Sequence, residues 1–226
     1  MAKVVSTVTQ AITLLNTLLE LDGTAPTSSD EDFTVWVSLF NAAINLWENE
    51  DGMFWKELFG KLADAPDGTK TTTTATSYSV PSLFRSPASA YVWLGSGTNK
   101  TPYKVIRQEE VQLYENDADG HWCYFLQDAS PTLEFNPNLS IQSGQTISYN
   151  YYKYAASVSA GADTFEMADP GFCVYYALAI LTKEEGNALA LSVSQQKLEA
   201  MKSRNVIPPE FSDNTINDPT QTGFGV

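Results

Sequence analysis

This sequence is short of histidine, cysteine and positive charge, and each shortage removes a class of chemistry. His121 is the only histidine. It stands two residues before Cys123, in strand register with it, but no second Cys/His pair exists to complete a tetrahedral zinc site, so His121 reads as a turn residue. A Ser-His-acid triad would also have to use His121, and no Gly-x-Ser-x-Gly elbow is present. Cys123 and Cys173, the only cysteines, fall in an expected strand and on an expected apolar helix. They read as buried free thiols, since a chain of 226 residues buries enough core to need no disulfide. Lys and Arg total 13 against 27 Asp and Glu, a formal net charge of −14. That balance excludes a surface that grips phosphate backbones, yet it suits a wall past which DNA slides without sticking. No run approaches the roughly 20 apolar residues of a membrane span. The opening Met-Ala-Lys-Val-Val is broken by Ser6, Thr7, Thr9 and Gln10 before it builds a signal core, so no membrane partner and a cytoplasmic site of synthesis and assembly are expected.

What is present is a large apolar inventory, 43% hydrophobic and 12% aromatic residues, enough for an ordered globular fold. Val8, Ala11, Ile12, Leu14, Leu15, Leu18 and Leu19 recur at helical spacing, with Gly23 as the expected stop. Ser28, Ser29 and Asp30 offer N-caps to a second helix, whose first turn holds Glu31 and Asp32 and whose stripe runs Phe33, Trp36, Val37, Phe40, Ala43, Ile44, Trp47. A third helix is expected from Met53 to Ala63 on the spacing of Phe54, Trp55, Leu58, Phe59 and Leu62. After the turn Ala65-Pro66-Asp67-Gly68 the composition shifts to the β-branched Thr71–Thr76 run, and strands are expected at 77–80, 90–94, 103–107, 122–127, 132–135 and 146–154. Residues 105–113 fit a strand and a helical turn equally. Beyond the linker 155–168, an apolar helix over 172–182 should be the most buried element. A last helix over 187–204 should turn Leu189, Leu191, Val193, Leu198 and Met201 inward.

These patterns predict an α+β chain in which N- and C-terminal helices form one helical bundle around an inserted small antiparallel β-sandwich or barrel, with an extended C-terminal arm. The boundaries expected are 1–65, 66–158, 159–204 and 205–226. The arm is aperiodic and rich in Pro and Gly, but Ile207, Pro208, Pro209, Phe211, Ile216 and Phe224 give it more apolar anchors than a solubilising tail needs, which suits ordering on a partner. No catalytic, cofactor or metal site is expected. Glu115-Asn-Asp117-Ala-Asp119-Gly120 resembles half a calcium loop, but Leu126 stands where the bidentate glutamate belongs, and an Asp-Gly turn is the stronger reading. The aromatic strand Tyr149, Tyr151, Tyr152, Tyr154 reads as a packed sheet face, with a stacking platform for sugars or bases as its rival.

Several segments also carry a family resemblance over the whole chain in order of elements. Thr13-Leu14-Leu15-Asn16, Leu39-Phe40-Asn41-Ala42-Ala43 with Trp47 and Trp55, Tyr78-Ser-Val-Pro81 with Phe84-Arg85, Tyr151-Tyr152-Lys153-Tyr154 and Asp169-Pro170 resemble the head-to-tail adaptor proteins of tailed bacteriophages, the connector, gatekeeper or tail-tube-A-like class. The resemblance implies a non-enzymatic virion protein of the neck. Such a protein forms a homo-oligomeric ring, a dodecamer, that docks on the portal protein through its C-terminal segment and extends the DNA channel to downstream tail or nozzle proteins. The alternatives are a ligand-binding module that recognises carbohydrate or another surface through residues 69–154, and another tail ring such as a terminator or tube component.

Overall fold

The computed structural model describes residues 5–21, 23–65, 70–117, 119–182 and 185–205. They fall into two units, one built from both ends of the chain, residues 5–58 and 155–205, and one from residues 59–154.

The first unit is helical. Helix α1, Val8–Leu18, starts at Thr7, whose hydroxyl accepts from the Gln10 N–H while the Gln10 side chain returns the bond to the Thr7 N–H, a capping box. It ends at Leu19 and not near Gly23, because Glu20 itself takes the left-handed conformation at φ 55° and reverses the chain. Helix α2, Glu31–Glu48, follows Asp30, whose carboxylate turns back to accept from the Thr27 N–H (2.7 Å) and hydroxyl (2.9 Å). Glu31 and Asp32 stand where the helix dipole favours negative charge. The expected stripe from Phe33 to Trp47 is buried throughout. Residues 155–170 return beside these helices. The Asn41 amide donates to the Val158 carbonyl and accepts from the Val158 N–H, both at 2.9 Å, and Val8 N and Thr9 N donate to Asp163 O and Gly161 O. Helix α4, Gly171–Leu181, then packs on α1, α2 and the last helix, α5, Glu185–Arg204.

The second unit is a β unit with its own aromatic core, and it overturns the expected fold class. Nine strands in two sheets stand against five helices among the described residues, so by element count this mixed α+β chain is mainly β and not a helical bundle with a small inserted sandwich. The strands are β1 (Phe59–Lys61), β2 (Ser77–Ser79), β3 (Phe84–Pro87), β4 (Tyr91–Ser96), β5 (Asn99–Val105), β6 (Trp122–Leu126), β7 (Thr132–Phe135), β8 (Ile147–Ser148) and β9 (Asn150–Lys153). One sheet has the order β1-β9-β3. The other, a curled half-barrel, runs β2-β7-β6-β5-β4-β8 and contains a parallel pair, β5 with β6, crossed by a 3-10 turn at Gln108–Glu110 and the short helix α3 (Val111–Tyr114).

Two sequence signals misled. The spacing of Trp55, Leu58 and Leu62 mimics a helix because these residues serve two different cores: Trp55 and Leu58 are buried in the helical unit, Leu62 in the β unit. Between them lie a 3-10 turn (Lys56–Leu58) and β1, where Gly60 admits the Tyr151 ring to 3.2 Å of the place a Cβ would take. The expected single strand 146–154 is split at Tyr149: Trp93 and Leu94 of β4 pair with β8, whereas β1 and β3 pair with β9.

The β4–β5 hairpin gives a direct test. Gly95 has φ 128°, and a Cβ there would overlap the Asn99 carbonyl oxygen across the ladder. Gly95→Ala is expected to destabilise the protein by more than about 2 kcal/mol in urea unfolding, whereas Gly144→Ala, with open space but φ 85°, should cost about 1 kcal/mol.

Candidate functional site

Neither unit assembles a catalytic constellation among the described residues. His121 lies edge-on to Tyr103 at 5.0 Å, and Cys123 packs beneath with its thiol facing the Tyr103 carbonyl at 3.9 Å. No group of three or more His, Cys, Asp or Glu is placed to hold a metal ion among the described residues. Where half a calcium loop was a candidate, Gly120 N donates to Asp117 O, and the fully buried Asn136 amide donates to the carbonyls of Asp117 (3.1 Å) and Gly120 (2.8 Å). Both thiols are buried and free, and burial pushes each well above the usual thiol range.

The aromatic strand is spent inward. Tyr149 and Tyr151 join Phe84 and Phe125 in one cluster, Phe84 stacking on Phe125 at 4.8 Å and on Tyr151 at 5.9 Å, with Phe125 edge-on to Tyr149 at 5.3 Å. Burial, reinforced by Tyr151 and Cys123, raises the Tyr149 phenol above its ordinary range. Tyr152 is buried against Phe59, and only Tyr154, with the Arg85 guanidinium 5.9 Å from its ring centre, stands exposed.

Two surfaces are therefore left as candidates. The first is the outside of the helices. Val35 and Leu46 are exposed on α2, and the half-buried Leu39, which also packs against the core, and Ala42 continue the row between them at spacings of 4, 3 and 4. Ala42, Leu46 and Tyr176 line a hollow with Asn45 and Glu50 at the C-terminal end of α2, where Lys202 reaches across to Glu50. On α5 the expected inner face holds at Leu198 and Met201, which meet the core, and fails at Leu189 and Leu191. Leu189 (71% exposed) and Leu191 (41%) point outward, while the small Ala190 and Ser194, with Met201, lie buried. Small side chains let α4 and α5 approach closely, a cue that outweighs leucine spacing in so short a window.

The second surface is a groove of about 330 Å³ in the β unit. The parallel pair β5/β6 lasts only from Lys104↔Trp122 to Val105↔Cys123 before the chain turns away at Arg107. The opening so formed is floored by Pro87, Val105 and Phe125 and rimmed by Arg107, Glu109 and Gln127. The arm residues Ile207, Pro208, Pro209, Phe211, Ile216 and Phe224 lie outside the described residues. No protein-family model and no curated protein matches the chain.

The buried thiols fix a pH dependence. A raised folded-state pKa means that the native state holds its proton where the unfolded chain, near 8.5, has released it, so stability is complete below that pH and falls as pH rises above it. Denaturation midpoints should decline from pH 8 to 9.5, and the double variant Cys123→Ala/Cys173→Ala, with a lower starting stability, should decline less steeply over the same interval.

Proposed function

We propose that the chain is a structural virion subunit, a head–tail adaptor that assembles with copies of itself into a ring, docks on a portal protein and continues the DNA channel toward the tail. The location of its exposed apolar side chains carries this reading. Of the ten large hydrophobics that stand exposed among the described residues, Leu21, Val35, Leu46, Phe54, Ile180, Leu189 and Leu191 belong to the helical unit, leaving three in the β unit. Scattered leucines need no explanation, but a concentration on α2, α4 and α5 is the kind of surface that copies of one chain bury against each other.

Charge supports the same reading. Residues 1–58 and 155–206 hold fifteen acidic and six basic side chains, whereas residues 59–154 hold nine and seven. A strongly negative helical unit suits a channel wall that repels phosphate backbones. The dodecameric ring and the portal partner rest on the resemblance to head–tail adaptors. The rival of a carbohydrate-binding module draws less support, because Tyr149 and Tyr151 are consumed by the core of the β unit.

Light scattering and negative-stain images of the purified chain, alone and mixed with portal, test the proposal: rings are expected, and a monomer under both conditions sinks it. Leu189→Asp/Leu191→Asp is expected to abolish rings while changing stability by only about 0.5 kcal/mol per site, since both side chains are exposed. A chain ending at Asn205 keeps every described element, including the bonds from Asn205 to Phe54 O and Lys56 N. It should fold with an unchanged Tm and fail to co-sediment with portal; retained co-sedimentation would remove the arm from the proposal.

A further inference from the structure

We infer that the groove beside β6 receives residues 206–213 of a second copy of this chain. The end of α5 is pinned: the Asn205 side chain donates to Phe54 O at 2.8 Å and accepts from Lys56 N at 3.0 Å, and Lys56 Nζ donates to Arg204 O at 2.9 Å. The chain therefore leaves the helical unit from a fixed point, with 21 residues to follow, and the first six extended span roughly 20 Å. Their apolar side chains, Val206, Ile207 and Phe211, bracket Pro208-Pro209, and a proline pair held in an extended helix gives up little entropy on docking to an aromatic-floored groove.

Charge selects the surface. Residues 206–226 contain Glu210, Asp213 and Asp218 and no Lys or Arg, so the helical unit, with nine more acids than bases, repels them, while the β unit has an excess of only two. The groove offers Pro87, Val105 and Phe125 as a floor for Ile207 and the prolines. Arg107 on its rim forms no ion pair with any described residue and is the counter-charge for Glu210. Glu109 opposes the segment from the same rim. Residues beyond 213, with Ile216 and Phe224, remain for the portal. That a second copy supplies the segment rests on the self-assembly reading.

The test uses the full chain with p-benzoylphenylalanine at position 211, mixed with an equal amount of isotope-labelled chain, irradiated, and mapped by mass spectrometry with light scattering on the same sample. Links between copies into residues 105–109 and 125–127 are expected. Arg107→Glu should lower their yield about fivefold, Arg107→Lys should preserve it and Glu109→Gln should raise it. Links confined to the helices, links to the groove only within one chain, or a yield indifferent to Arg107→Glu would overturn the docking. Rings that form with such links leave the assembly reading standing, and a monomer in the same sample removes both.

Discussion

The helical unit depends on one length of irregular chain, residues 155–170. α1 and α2 each offer one core-facing apolar stripe, and the two helices alone would leave Phe40, Trp47 and Val8 partly wet. The returning segment closes that gap with backbone bonds: Val8 N and Thr9 N donate to Asp163 O and Gly161 O, Phe165 N donates to Ser6 O, and the Asn41 amide satisfies both polar groups of Val158. Asp163 holds the turn itself, accepting from the N–H groups of Ser159 (2.7 Å) and Ala160 (2.8 Å), bonds that keep its carboxyl below the usual carboxylate range. Only with this segment in place is α4 delivered onto α1 and α2, and Phe165 set edge-on to Phe40 at 5.9 Å. The first and last parts of the chain therefore gain their stability together, and the unit must close a loop of about a hundred residues before either profits.

Inside the β unit the corresponding constraint is Tyr149. The strand that carries it belongs to the half-barrel before this residue and to the three-stranded sheet after it, so the side chains of Ile147, Tyr149 and Tyr151 keep pointing into one core while the hydrogen-bond partners change. Phe84 and Phe125 fill the space between the sheets. The same curling that lets β4 pair with β8 leaves β5 and β6 with two paired residues, and the groove is the consequence of that early parting.

Helix existence was legible where one face met one core. The stripe on α2 could be read directly, because helical period, acidic first turn and burial all agree there. Five of the six expected strands overlap single observed strands for the same reason, alternation and turn residues agreeing, and the sixth is divided at Tyr149. Reading failed where a residue's partner lies far along the chain. Phe59–Lys61 and Phe84–Pro87 are too short to show a period and become strands only because β9 pairs with both. Hydrophobicity alone turns Leu189 and Leu191 inward, yet in that half of α5 the buried residues are the small Ala190 and Ser194. The candidate surfaces were illegible as well, since an exposed leucine and a buried one look alike in a sequence, and a groove between parting strands has no local signature.

Exposed leucines and heavy negative charge on the same helices set opposing terms for any association of this chain with itself. Each copy brings 14 net negative charges, and the excess lies mostly on the unit that also carries the apolar stripes. Repulsion between copies is long-ranged and screened over about 8 Å at physiological salt, whereas burial of apolar surface at about 25 cal/mol per Å² acts only on contact and is little affected by ions. Under the proposed self-assembly, encounter would therefore be slow and contact strong once made, and the alignment of two copies would be decided by where acids can avoid one another. Leu189 and Leu191 meet that condition on their own helix: the described side chains next to them on α5, from Asn187 to Gln196, carry no charge, and Lys197, the first that does, is turned to Asp169 at 2.9 Å. Apart from Glu185 at its start, four residues before Leu189, this leucine-bearing half of α5 carries no charge, and it is where two copies would approach with the least electrostatic cost.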